Sequence, residues 1–101
     1  MTLCEALMVK DEQRMKLLTW AMLPPGYDKP LTIRARAYAV VYLRLAFPAL
    51  DHVDIKAGRI GLEVGEQVKW IDAPGDIRTP MEVRRFVDQQ IDRLVDEEMM
   101  G

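Results

Sequence analysis

"VDIKAGRIGLEVGEQVKWI", Val53 to Ile71, is the stretch on which the fold turns. Its apolar residues stop recurring every three or four positions and begin to alternate, as in a strand with one buried face. Two dipeptides divide it. Ala57-Gly58 offers one tight turn, and Gly65-Glu66 has the glycine-first order suited to a type II′ hairpin. The stretch therefore reads as two or three short antiparallel strands. With Gly65-Glu66 as a two-residue loop, Val64 faces Gln67, Leu62 faces Lys69 and Ile60 faces Ile71. Ile60, Leu62, Val64 and Ile71 make the better core face. On the other face Val68 lies across from Glu63 and Trp70 across from Gly61, so an indole covers the gap left by an absent side chain.

Helical patterns flank this stretch on both sides. Upstream, Thr2 and Glu5 have the spacing of a capping box, and Leu3, Leu7 and Met8 give the first turns an apolar face. After the polar run Lys10 to Arg14 the apolar spacing resumes at Met15, Leu18 and Met22. One helix is expected through about Met22, with a break near Asp11. "LPPGYDKP", Leu23 to Pro30, stops it.

A second helix is expected from about Leu31 to Phe47, with Pro30 near its first position and Pro48 after its end. Apolar residues surround almost its whole circumference, so it is either the central buried element or a subunit interface. Downstream, Thr79, Pro80 and Glu82 join an N-cap, a favoured first-turn proline and a capping-box acid. Val83, Val87, Ile91, Leu94 and Val95 follow as an apolar stripe, widened by Phe86. The fold class is thus α+β within one domain of 1–101. Two N-terminal helices precede a central two- or three-stranded antiparallel meander, and a capped C-terminal helix closes it.

Composition narrows the chemistry. Half of the 101 residues are apolar, enough for a real core, and the formal charge is -2. A dedicated nucleic-acid binder usually carries a strong basic excess instead. The chain has no Ser, no Asn, one His and one Cys. A Ser-His-Asp triad is thereby excluded, as is a zinc site built from several histidines. Cys4 fits a reducing compartment and reads as a small buried hydrophobe. Asp51, His52, Asp54, Asp72 and Asp76 lie in or near loops, but no motif fixes them as an acid–base pair or a metal site. No catalytic, metal or cofactor-binding residue is expected. No run of apolar residues is long enough for a membrane span, and no targeting signal is visible, so the expected location is cytoplasmic.

Charge is sorted along the chain. Residues 31–50 hold three Arg and no acid; residues 51–76 hold six acids against three bases, and residues 77–101 six against four. On the last helix Asp88, Asp92 and Asp96 repeat every four residues and share one ridge, where like charges repel. Acids in the last turn also oppose the helix dipole. Three readings of this ridge stand open: a solvated face, internal or dimeric pairing with Arg34, Arg36 or Arg44, and a docking surface for a basic partner.

The functional expectation is a small non-enzymatic interaction module, an adaptor, inhibitor or structural subunit that binds a larger protein. Asp88, Asp92, Asp96 and Glu97 are the expected polar contacts, with Trp70 and the hairpin tip at Glu66 as a second choice. A homodimer through the second helix is a further expectation. The alternative is a nucleic-acid-binding regulator using the Arg-bearing second helix and the hairpin, with Tyr38, Tyr42 and Trp70 as stacking groups.

Overall fold

The computed structural model describes residues 1–15, 31–75 and 79–100. Its elements are α1 (Leu3–Met8), α2 (Glu12–Met15), α3 (Leu31–Ala46), β1 (His52–Lys56), β2 (Arg59–Val64), β3 (Gln67–Asp72) and α4 (Pro80–Met100). The α+β expectation holds, and the meander has three strands in the order β1-β2-β3, both pairs antiparallel.

The register of β2 on β3 is the one the turn dictates, with Val64 on Gln67, Leu62 on Lys69, Gly61 on Trp70 and Ile60 on Ile71. Gly65 has φ 58°, while Glu66 stays at negative φ, which is the type II′ pattern. The Asp51 carboxylate accepts the Gly65 N–H at 2.6 Å and steadies that turn. In the other turn both Ala57 (φ 52°) and Gly58 (φ 77°) are left-handed, as type I′ requires.

The alternation then sorts the sheet. Val53, Ile60, Leu62, Val64 and Ile71 are buried on the inner face. His52, Asp54, Arg59, Val68, Trp70 and Asp72 are exposed on the outer one. At Gly61 a Cβ would stand 3.0 Å from the Trp70 ring, so the indole lies directly on the glycine backbone.

Helices cover the inner face. α3 packs on β1 and α4, α4 crosses β3, and α1 wedges between α4 and β2. The buried helical residues fall on single faces: Ala35, Tyr38, Ala39, Tyr42, Leu43 and Ala46 from α3, with Val83, Val87 and Ile91 from α4. α3 is largely enclosed within its own chain, although Ala37, Val40, Val41 and Leu45 retain partial exposure. On α4, Thr79 caps the first turn by accepting the Glu82 N–H at 3.2 Å.

At the N-terminus the break near Asp11 is present, while the expectations for Met8 and Cys4 need correction. The first helix closes at Met8 and a separate turn of helix starts at Glu12. Between them the Asp11 N–H donates to the Ala46 carbonyl at 2.7 Å, so this backbone satisfies the end of α3 instead of continuing a helix. The continuation to Met22, the Leu23–Pro30 stop, Pro30 and Asp76 lie outside the described residues. Met8 is exposed, and Ala6 joins Leu3 and Leu7 in the core in its place. Cys4 is half-buried, because it follows Leu3 by about 100° and falls at the margin of the short α1.

Candidate functional site

The α3–α4 seam gathers the polar groups of the interior. Tyr42 is fully buried, and its hydroxyl donates to Asp88 Oδ1 at 2.6 Å. The other carboxylate oxygen, Oδ2, holds the Lys10 ammonium at 3.3 Å. One helical turn earlier on α4, Arg84 donates from Nε to the Tyr38 hydroxyl at 2.9 Å. Its guanidinium sits about 6 Å from the Tyr38 and Tyr42 ring centres, within cation–π range. Burial, reinforced by the adjacent Asp88 carboxylate, raises the Tyr42 phenol far above its ordinary value.

This arrangement revises the counter-charge expectation for the acidic ridge. Asp88 is answered from inside the chain by Tyr42 and Lys10, not by Arg36 or Arg44. Those two arginines serve the backbone: Arg36 Nε donates to the Pro74 carbonyl at 3.3 Å, and Arg44 Nη2 to the Val53 carbonyl at 3.0 Å. The Arg34 side chain lies outside the described residues. The missed partner Lys10 is 78 positions from Asp88, and no local spacing announces it.

Helical geometry also divides the expected acidic patch. Taking Val87 as the centre of the buried face, Asp88, Asp92 and Asp96 drift to about 100°, 140° and 180° around the helix. Glu97 falls about 80° away on the opposite side. Asp92 and Asp96 are therefore exposed on one flank, while Glu97 is exposed on the other and turns toward β3. There it lines a depression of about 320 Å³ with Lys69, Leu94 and Glu98.

β3 is the element that collects the remaining expected residues. In a two-residue hairpin the closing pair, Val64 and Gln67, exchanges both backbone hydrogen bonds, and alternate pairs follow suit. Val68 and Trp70 are thus left with N–H and C=O groups pointing away from β2. Among the described residues no strand pairs with that side. Trp70 is 45% exposed and Val68 40%, and Glu66 stands exposed at the hairpin tip.

Along the same edge runs a second depression of about 330 Å³, between β3, the start of α1 and the end of α4. Gln67 Oε1 accepts the Leu3 N–H at 2.7 Å there, and Lys69 lies 3.7 Å from Glu98. Gln67 and Lys69 occupy core-face positions of β3, opposite Val64 and Leu62. That polar pair in an inward register is the sequence signal that β3 lies at the margin of the core.

The opposite edge is guarded. β1 also alternates, and Val53 and Ile55 carry its outward backbone groups. Arg44 already occupies the Val53 carbonyl, which leaves the Val53 N–H and the Ile55 groups facing outward beside the turn.

Two further placements bear on function. His52 and Asp54 are exposed on the outer sheet face, and among the described residues no three His, Cys, Asp or Glu side chains gather as a metal site. Among the described residues, too, no helix is long and apolar enough to cross a membrane. Comparison of the chain with protein-family models, with curated protein sequences and with solved structures returns no match.

Proposed function

We propose that the chain is a small interaction module that acts by binding a larger protein, and that the surface around β3 makes the contact. The observation that carries this reading is the pairing of an open strand edge with an exposed indole fixed in place. Trp70 rests on Gly61 and has little freedom left to lose, so burying it in an interface costs little ordering entropy. With 45% of the residue exposed, its burial removes about 100 Å² from water, worth about 2.5 kcal/mol. That is the scale of an interface hot spot. Glu66 at one end of β3 and Glu97 beside it supply polar rim.

The acidic flank of Asp92 and Asp96 is the second reading, favoured by the exposure of both on one side of α4, where like charges four residues apart repel. The nucleic-acid alternative is weaker: Tyr38 and Tyr42 are fully buried, and Arg36 and Arg44 hold backbone carbonyls. A homodimer through α3 would use the half-covered Ala37, Val40 and Val41, a thin apolar strip.

The test compares affinity capture from source-organism extract by three forms of the chain. Trp70→Ala should lose the partner that the unaltered chain captures, while Asp92→Lys with Asp96→Lys retains it. The reverse pattern moves the contact to the acidic flank, and equal capture by all three refutes both surfaces.

A further inference from the structure

Resting on the reading of β3 as the contact surface, we infer that its open edge accepts an extended segment of the partner as a fourth, antiparallel strand. We infer further that this segment alternates apolar and basic residues. The alternation follows from the two sides of the edge. Outward from the sheet, an added residue opposite Val68 or Trp70 would lie beside an exposed valine and an exposed indole, so that position takes an apolar side chain. On the inner side, the next residue would point into the depression lined by Lys69, Leu94, Glu97 and Glu98. That depression holds two carboxylates, Glu97 and Glu98, against the single ammonium of Lys69, which already lies 3.7 Å from Glu98. A basic side chain suits this position where it is long enough to pass Lys69, directly opposite, and reach the Glu97 carboxylate.

The wider field has the same sign. Glu66, Glu97 and Glu98 border the edge against Lys69, while Glu63 stands across from Val68 on β2 and Asp72 across from Arg59 in the register. The same excess disfavours a second copy as occupant, because two such edges would bring their acids together. Exposed Met1 and Met99 adjoin Thr2 and Glu98 on the rim and widen the apolar margin available to a partner strand.

The backbone logic supplies its own controls. In an antiparallel addition, the partner residues opposite Val68 and Trp70 present their N–H and C=O groups to β3, and their neighbours point away. The probe is an end-blocked peptide of alternating lysine and valine, six residues long on the order of β3 itself. Three relatives accompany it: one with glutamate in place of lysine, one N-methylated at its valines and one N-methylated at its lysines. Binding is read from amide shifts of the chain and from calorimetry.

The expected result is a shift centred on Val68, Trp70 and Asp72 with the lysine peptide, weakening as salt rises from about 50 to about 300 mM. The glutamate and N-methyl-valine forms should not bind, while the N-methyl-lysine form should. Val68→Pro removes one outward donor at a position where an edge strand tolerates proline, and should weaken binding about five- to tenfold with the far-UV spectrum unchanged. Equal binding of the glutamate peptide, equal blocking by both methylation patterns, or a doubled mass in light scattering would each overturn the inference. If the β3 amides stay unmoved while Trp70→Ala still abolishes partner capture, strand addition fails and the contact surface stands.

Discussion

Replacing Asp88 by alanine separates its internal role from any external one. The substitution deletes the acceptor of the buried Tyr42 hydroxyl and the counter-ion of Lys10 together. A hydrogen bond to a charged group contributes about 1.5–3 kcal/mol. The Asp88 side chain keeps 35% of its surface, so water can partly replace it and the low end, about 1.5 kcal/mol, applies. Lys10 and Asp88 are each about a third exposed, which puts their ion pair at about 0.5 kcal/mol. Asp88→Ala should therefore cost about 2 kcal/mol, or about 8–16 °C in a chain of this size.

Urea unfolding followed in the far-UV, with linear extrapolation, measures that loss. Tyr42→Phe should cost about 1–1.5 kcal/mol, and the double variant little more than Asp88→Ala, a coupling of about 1 kcal/mol. Asp88→Asn keeps an acceptor oxygen and should fall between the unaltered chain and Asp88→Ala. A cost below about 0.5 kcal/mol for Asp88→Ala, or additivity of the two single variants within about 0.3 kcal/mol, would refute the seam as a source of stability. The result also governs the binding test. Because altering Asp88 perturbs the fold, only Asp92 and Asp96 report cleanly on the acidic flank.

Three other outcomes are expected. Ala57→Asn should stabilise the chain by about 0.5–1 kcal/mol, since alanine at φ 52° is strained and asparagine tolerates the left-handed region; chemical denaturation reads it. Gly61→Ala should displace the indole, whose ring carbon would stand 3.0 Å from the new methyl, and cost about 1–3 kcal/mol as overpacking does; a changed near-UV signal with Trp70 as its source would register the displacement. Tyr42 sets a limit at high pH. Its phenol is raised in the folded chain by burial and by Asp88, so the unfolded chain alone ionises it above about pH 10. Stability present below that pH is lost as pH rises, and Tyr42→Phe should flatten that part of the profile.

Local rules in the sequence reached as far as the chain's neighbours. Thr2 with Glu5, and Thr79 ahead of Glu82, mark helix starts because capping is settled within four residues. The Gly65-Glu66 turn fixes every pair from Val64–Gln67 to Ile60–Ile71, because a two-residue loop allows one register. Trp70 over Gly61 follows from that register alone. Tyr42 with Asp88, and Lys10 with the same carboxylate, were not legible. Each bond joins elements whose mutual orientation comes from packing, and periodicity says which side of a helix is apolar without saying which neighbour it meets. The division of Glu97 from Asp92 and Asp96 was legible from helical geometry. Proximity in sequence alone groups them as one patch.

The inequality of the sheet's two margins sets a stoichiometry. Arg44 takes the Val53 carbonyl on one margin, so that margin offers an added strand one acceptor fewer than the margin beside Trp70. Strand addition would therefore favour the Trp70 margin and a one-to-one complex over the fibre that two equal margins would template.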